Sequence, residues 1–588
     1  MFAAEQKNIE AQIREFLASQ GIPEPDDIQW NSIPFEGGWG ISTPCFPLAA
    51  QESRAGKKVN VPQRAQEIAS ALAEYLGIPQ GFARVEGVKG YLNLYFSSAE
   101  YSVRVVDNVL DDGADYGRYP ARAEQVMVEF SNPNTHKAFH VGHLRSAILG
   151  ESLARIIEFA GYEVVRANYI GDMGLHVIKW LWNYAKFHQG EVPPADTTKW
   201  MGELYSEANQ RLDEDPELEA EVRDVYSRWD QRDPEIVALW EETRQWSVDH
   251  FEKIYQVLDI HFDRWYSNSE MEQPGKLVVN ELIEQGIAED ERASGGPVIV
   301  RIDDKLGLQK EKYRVLVVLR SDSTALYATE DLALAIRKFS DYKLHTSIYI
   351  VDVRQSLHFE QVFKTLEIAG YDWAPRSQHL PYEVVNLPGN VVMASRDGTI
   401  VLLEGLLDEA ESRARQIVEE KNPALSAGQK EEVARAVGLG ALKYPMLARD
   451  NAKIVTFDWE SALDFNGQAA PYIQYAHVRA NSILRRMEAG LPESAHIAHE
   501  LDPAEIELID TISRFPNEVA RAAEEYKTLH ITNLAFELAR TFNDFYKQCP
   551  VLKADLGVRD YRLRLVAAAR QTIANALKLL SIEAPEVM

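Results

Sequence analysis

His140 and His143 lie three residues apart around Gly142, in the run Asn134-Thr135-His136-Lys137-Ala138-Phe139-His140-Val141-Gly142-His143. At helical spacing two such imidazoles point to the same side. Each then offers an N–H to a phosphate oxygen. The glycine permits close backbone approach. A helix starting there adds free backbone N–H groups and the positive end of its dipole. Phosphate binding is the first expectation. A metal pair is the alternative, but it needs further ligands that no nearby Cys or His cluster supplies.

Those groups need a scaffold. Residues 126–130, VMVEF, read as a short strand. From about Gly142 a helix runs through Leu144, Ile148, Leu149, Leu153, Ile156 and Ile157, and Gly161 closes it. Residues 163–170, EVVRANYI, form the next strand. Strand, helix and strand make a βαβ unit with parallel pairing. A similar unit recurs at 347–353, followed by a helix through Phe359, Val362, Phe363 and Leu366 to Gly370. Two such units predict one doubly wound sheet with an insertion between its halves. The insertion, residues 193–270, reads as helical. Its acidic residues Asp213, Glu214, Asp215, Glu217, Glu219 and Glu221 read as a solvated face.

The flanks differ in texture. Residues 1–115 read as a small α/β unit with a helix at 61–77 and an alternating strand at 90–96. After about Gly405 the pattern is almost entirely helical, and a bundle is expected. The expected class is therefore α/β. A Rossmann-like doubly wound parallel-sheet domain at 122–425 lies between an N-terminal α/β domain, 1–115, and a C-terminal all-α bundle, 426–588.

Composition sets outer limits. The 588 residues are 46% hydrophobic and 10% aromatic, which argues for packed cores. Lys plus Arg total 62 against 90 Asp plus Glu, a formal charge of −28. That average counts weakly against nucleic acid as a partner, because it hides local patches. From Arg540 to Met588 basic residues outnumber acidic ones. No apolar run reaches the ~18 residues of a membrane span. The two cysteines, Cys45 and Cys549, cannot build a disulfide framework or a four-cysteine zinc site. A cytoplasmic protein with no membrane partner is expected.

His-Val-Gly-His resembles the "HIGH" signature of class I aminoacyl-tRNA synthetases. The wider run EFSNPNTHKAFHVGHLRSAILG, with NYIGDMG, LYATEDLALAIRK, RQSLHFEQVF and APYIQYAHVRANSILRR, resembles the arginyl-tRNA synthetases in particular, over essentially the whole chain. The resemblance implies an ATP-dependent arginine–tRNA ligase. Its partners would be L-arginine, ATP with Mg²⁺ and tRNA(Arg). It implies no tightly bound protein metal, and a monomer is expected. By the same resemblance His140, Gly142 and His143 face the ATP phosphates.

The second class signature corresponds to Val392-Met393-Ala394-Ser395-Arg396-Asp397-Gly398, where Val392 and Ser395 replace two lysines. Met393 and Arg396 are the remaining ATP candidates there. In arginyl enzymes with this departure a lysine just before the first signature substitutes, and Lys137 stands at that place. A primary ammonium near the α-phosphate stabilises charge developing at phosphorus.

A guanidinium never loses its charge near neutrality, so its pocket requires a carboxylate. The resemblance places Asp331 and Tyr327 against it, with Thr329 as a helix cap and Asp331 in the first turn. Glu129, Ser131, Asn134, His143 and Gln355 match the other arginine-contacting positions. Asn134 and Gln355 are the candidates for the α-ammonium. For tRNA, Tyr91 and Asn93 match the elbow-binding unit. The resemblance matches residues 469–483, with Tyr472, Gln474, Tyr475 and Arg479, to an anticodon-domain segment that contacts tRNA, and Arg485 follows as a further cation. Two rival readings are a sister class I enzyme for another amino acid and a catalytically silent RNA-binding paralogue.

Overall fold

The apolar run ahead of the two histidines forms strand β1, Gln125–Glu129, buried over most of its length. It leads through a polar loop into helix α1, Val141–Phe159, and on to β2, Glu163–Ile170. Strand β3, Arg264–Ser267, pairs with β2. Helix α2, Tyr327–Asp341, precedes β4, Leu344–Asp352, which pairs with β1. Helix α3, Ser356–Ile368, then returns the chain to β5, Ser377–Tyr382. All neighbours are parallel, in the order β5-β4-β1-β2-β3. The chain fills one side of β1 first and the other side second. The order therefore reverses between β1 and β4, and a crevice opens there at the carboxyl ends of the strands. These coordinates are a computed structural model. It describes residues 3–588 apart from 26, 34–38, 55–58, 389–390, 393–402, 488–489 and 498.

Helix α1 runs behind the crevice and is buried almost all round. Its one fully buried acid, Glu151, is neutralised by Arg155 at 2.7 Å and Arg166 at 3.2 Å. Buried charge on a core helix is tolerable only with such pairing.

Two expectations need correction here. The range read as a helical insertion holds helices Thr197–Glu214, Glu219–Asp230 and Pro234–Val257, but also β3, an edge strand of the main sheet. Four residues, RWYS, are too few to show a period in the sequence. The late chain is not free of strand either. Val455–Thr456 pairs in parallel with Val385–Leu387. The six acidic residues from Asp213 to Glu221 are all exposed, as a solvated face requires. A three-stranded antiparallel sheet, Glu289–Asp290, Val298–Arg301 and Val315–Leu319, lies between β3 and α2 in the chain.

The chain divides into two compact units. One comprises Gly117–Arg479, Phe515–Ala539 and Ile573–Met588, and holds the parallel sheet. The other comprises Met1–Tyr116, Ala480–Arg514 and Arg540–Thr572. Its four-stranded antiparallel sheet packs Leu92 and Leu94 against Ile68 and Leu72 of helix Val61–Leu76. Within that second unit Arg564 meets Asp107 at 2.6 Å, and the Tyr116 hydroxyl donates to the Ile512 carbonyl at 3.1 Å.

Candidate active site

The loop from β1 to α1 carries three non-glycine residues with left-handed backbone, Ser131 (φ 73°), Asn132 (φ 48°) and His136 (φ 58°). Such conformations persist only where surrounding contacts over-determine them. Here they do. The Ser131 N–H donates to Ser146 Oγ at 3.0 Å, and its hydroxyl lies 2.7 Å from the Tyr255 hydroxyl. Asn132 Oδ1 accepts the Tyr169 N–H at 3.0 Å. The buried His136 ring is held at 2.9 Å by Thr135 Oγ1 and at 2.8 Å by Thr243 Oγ1.

The loop ends at His140, which caps α1. Its Nδ1 accepts the Gly142 N–H at 3.1 Å, and its own N–H donates to His143 Nδ1 at 3.4 Å. Both Nδ1 atoms are acceptors, so each neutral ring carries its proton on Nε2. The rings stack with centroids 3.9 Å apart. Burial, reinforced by the Lys137 charge, pushes the His140 imidazole down to about 4; burial, with His140 and Lys137 beside it, lowers His143 well below its ordinary value. Both are neutral Nε2–H donors near pH 7. A Cβ on Gly142 would meet the His140 ring at 2.9 Å, so a larger residue there would displace that imidazole.

A cavity of about 300 Å³ opens at the strand-order reversal, lined by Ser131, Asn134, His140, Gly142, His143 and Gln355 among others. These six expected site residues come together there. Tyr382 closes one wall with its hydroxyl 3.4 Å from the Gly142 carbonyl. The buried Arg145 donates to the carbonyls of Glu383, Val384, Asn451 and Lys453, and ties that wall to α1.

Glu129, Tyr327, Asp331 and Lys137 do not line this cavity. Glu129 is fully buried and lies 2.5 Å from Lys338 Nζ, which rests 3.7 Å above the Tyr349 ring. Asp331 Oδ2 accepts from His358 Nε2 at 2.5 Å. Tyr327 is 67% exposed. Lys137 lies 5.2 Å over the Tyr205 ring. The expected capping is also shifted. Tyr327 is the first helical residue, Thr329 Oγ1 accepts the Leu326 N–H at 2.9 Å, and the first-turn acid is Glu330 rather than Asp331. Threonine serves from inside the helix here because its hydroxyl also donates to the Val318 carbonyl.

Glu330 belongs to an acidic neighbourhood. Burial pushes its carboxyl up to about 8, with Asp331, Glu272 and Asp172 adding to the shift against the Asn268 amide. The half-buried Tyr169 feels Asp331, Glu330, Glu129 and Asp172 together. Asp172 is answered by Arg244 at 2.7 Å and Glu272 by Lys276 at 2.7 Å.

Of the RNA candidates, Tyr475 is 38% exposed with the Arg479 guanidinium 4.7 Å over its ring. Arg485 is exposed, and Tyr472 packs on Phe536 at 5.5 Å. Tyr91 is half-buried with its ring edge-on to Phe46 at 5.5 Å. Two candidates face cores instead. Asn93 is buried and accepts the Ser42 hydroxyl at 2.6 Å, because its strand position points inward. Gln474 is buried and donates to the Ala436 and Glu583 carbonyls at 3.0 and 2.9 Å. Met393 and Arg396 lie outside the described residues.

Residues 105–459 match the family described as tRNA synthetases class I (R), catalytic domain, and residues 473–588 match the DALR anticodon binding domain. The arginine–tRNA ligase of Clostridium perfringens is 35% identical over 550 residues, 93% of each chain. That of Alkaliphilus metalliredigens is 32% identical over 582 residues, 98% of this chain and 99% of the relative. The chain belongs to the arginyl-tRNA synthetase family. The solved arginyl-tRNA synthetase of Thermus thermophilus matches it with a TM-score of 0.79 at 29% identity, covering 99% of this chain and 100% of that one. Arginyl-tRNA synthetases of this class use ATP, and tRNA and arginine are their other substrates.

Within the arginyl-tRNA synthetase frame, three residues escape sequence reasoning: Lys338, His358 and Glu330. Lys338 follows Asp331 by seven residues, two helical turns, so both share a face of α2. That spacing is readable in LYATEDLALAIRK. Nothing local marks His358 or Glu330, because their partners come from other elements.

Proposed function

We propose that the chain is an ATP-dependent arginine–tRNA ligase. The arginine carboxylate attacks the α-phosphorus of ATP, pyrophosphate leaves, and the 2′-hydroxyl of the terminal tRNA adenosine attacks the carbonyl of the arginyl-adenylate, takes the arginyl group and releases AMP. The observation that carries this reading is the carboxylate of Asp331, set with Glu129 and Glu330 about the half-buried Tyr169, together with a helix N-terminus bearing two neutral imidazoles. A permanent cation needs the first, and a triphosphate uses the second.

In this reading His140 and His143 donate Nε2–H to phosphate oxygens, with Gly142, Met393 and Arg396 completing the ATP site. Lys137 neutralises charge at the α-phosphate. Asp331 and Tyr327 take the guanidinium, Asn134 and Gln355 the α-ammonium, and Glu129 and Ser131 shape the pocket between them. Magnesium would come with ATP as part of the substrate, offsetting phosphate charge rather than sitting in a protein cage. Residues 1–115 serve the tRNA elbow through Tyr91, and residues 426–588 serve the anticodon through Tyr472, Tyr475, Arg479 and Arg485. The catalytic domain spans 122–425. The protein acts as a cytoplasmic monomer.

An aminoacylation panel tests the assignment. Arginine should be charged with the highest kcat/KM, and ATP–pyrophosphate exchange should be weak until cognate tRNA is added. A higher kcat/KM for another amino acid ends the arginine assignment.

A further inference from the structure

Asp331 and His358 come from different elements, α2 and α3, and meet through one carboxylate oxygen at 2.5 Å. Their side chains are 14% and 23% exposed, so the contact lies at an accessible edge rather than in a core. An ionised carboxylate only accepts, so His358 donates from Nε2. Asp331 Oδ2 is the oxygen engaged. Oδ1 has no such partner in this pair.

Three residues before His358, Gln355 lines the cavity beside His140 and Asn134. The segment from Gln355 to His358 enters α3, with Ser356 Oγ donating to the Val353 carbonyl at 2.7 Å and fixing the turn. One short rigid stretch therefore presents Gln355 to the cavity and His358 to the acid on α2. Fixing a recognition group before the ligand arrives cuts the ordering cost of binding.

We infer that His358 is a positioning residue for arginine recognition: it holds Asp331 by Oδ2 so that Oδ1 is presented to the substrate guanidinium. The inference rests on the assignment of arginine as substrate. It adds that the aspartate does not act alone and that its aim is set from α3.

Steady-state charging by the full chain tests this, with arginine varied at saturating ATP and tRNA, and ATP varied at saturating arginine. His358→Ala should raise the arginine KM roughly tenfold or more. The ATP KM should stay within about twofold and kcat within about threefold. His358→Gln keeps an N–H donor at similar reach and should recover most of the loss. An unchanged arginine KM in His358→Ala overturns the inference and leaves the substrate assignment standing. A glutamine variant as impaired as the alanine one, or equal rises in both KM values, also overturns it. Thermal melts run beside the kinetics, and outright unfolding of both variants would make the pair a structural tie instead. A wild-type chain that fails to charge arginine overturns inference and assignment together.

Discussion

Lys338 Nζ lies 2.5 Å from the Glu129 carboxylate and 3.7 Å from the centre of the Tyr349 ring, with all three side chains buried. Burial pushes the Glu129 carboxyl up and the Lys338 ammonium down, while their contact opposes both shifts. Glu129 ends β1 and Lys338 lies on α2, so the pair fastens the helix that carries Glu330 and Asp331 to the central strand. Lys338→Met should leave a buried carboxylate unpaired, at a cost of about 3–5 kcal/mol. Denaturant unfolding should show a clearly lower midpoint. The double variant Lys338→Met/Glu129→Gln should recover much of that loss, since no lone charge remains. Equal midpoints for the single and double variants would remove the pair from the stability account.

The same contact shows why sequence alone gave only part of the site. The parallel sheet was legible because β1, β2 and β4 are apolar runs and α1 has its own period and terminating glycine. The phosphate end was legible because His140, Gly142 and His143 are neighbours in the chain. The arginine end is assembled from β1, α2 and α3, and its pairings span long separations. Asp331 could be named by resemblance, but its bond to His358 has no local signature. The N-cap role of His140 was equally hidden, because Ser, Thr, Asp and Asn are the usual caps. Asn93 and Gln474 are RNA candidates by resemblance. Their burial depends on which face their elements turn inward.

Lys137 projects from a loop fixed by His136 and lies 5.2 Å over the Tyr205 ring. Its charge also helps keep His140 and His143 neutral. Removing one preorganised electrostatic donor typically costs on the order of 10²–10³ in kcat. Lys137→Ala should lower kcat for charging by about that range and move the arginine KM little. An unchanged charging rate would take Lys137 out of the mechanism.

The partly buried imidazoles also shape acid stability. His140 titrates at about 4 and His176 at about 3 in the folded chain, in both cases because burial disfavours the charged ring. Unfolded, each takes a proton near the ordinary value of 6.5. A depressed folded value means the stabilising contribution is complete above pH 6.5 and is lost as pH falls toward the folded value. Melting temperature should therefore decline from pH 7 to pH 5. His176→Gln removes one such group and should flatten that slope. A slope unaltered by the substitution would assign the acid sensitivity to other groups.

Glu330 predicts an effect on the alkaline side. Burial places its carboxyl at about 8, so at pH 7 most molecules carry it protonated. The folded value lies above the ordinary 4.5. Its contribution to stability is therefore complete below pH 4.5 and is lost as pH rises through 8. Ionisation adds a negative charge beside Asp331, where the proposed guanidinium binds. That cation stays charged over the whole range, so the arginine KM should fall between pH 7 and pH 9. The substrate's own α-ammonium also titrates there, and Glu330→Gln supplies the control. With no group to ionise, the variant should show a flatter arginine KM over the same interval, while its ATP KM follows the wild type. If variant and wild type trace the same arginine KM profile, Glu330 does not sense the substrate, and the acidic neighbourhood acts through Asp331 and Glu129 alone.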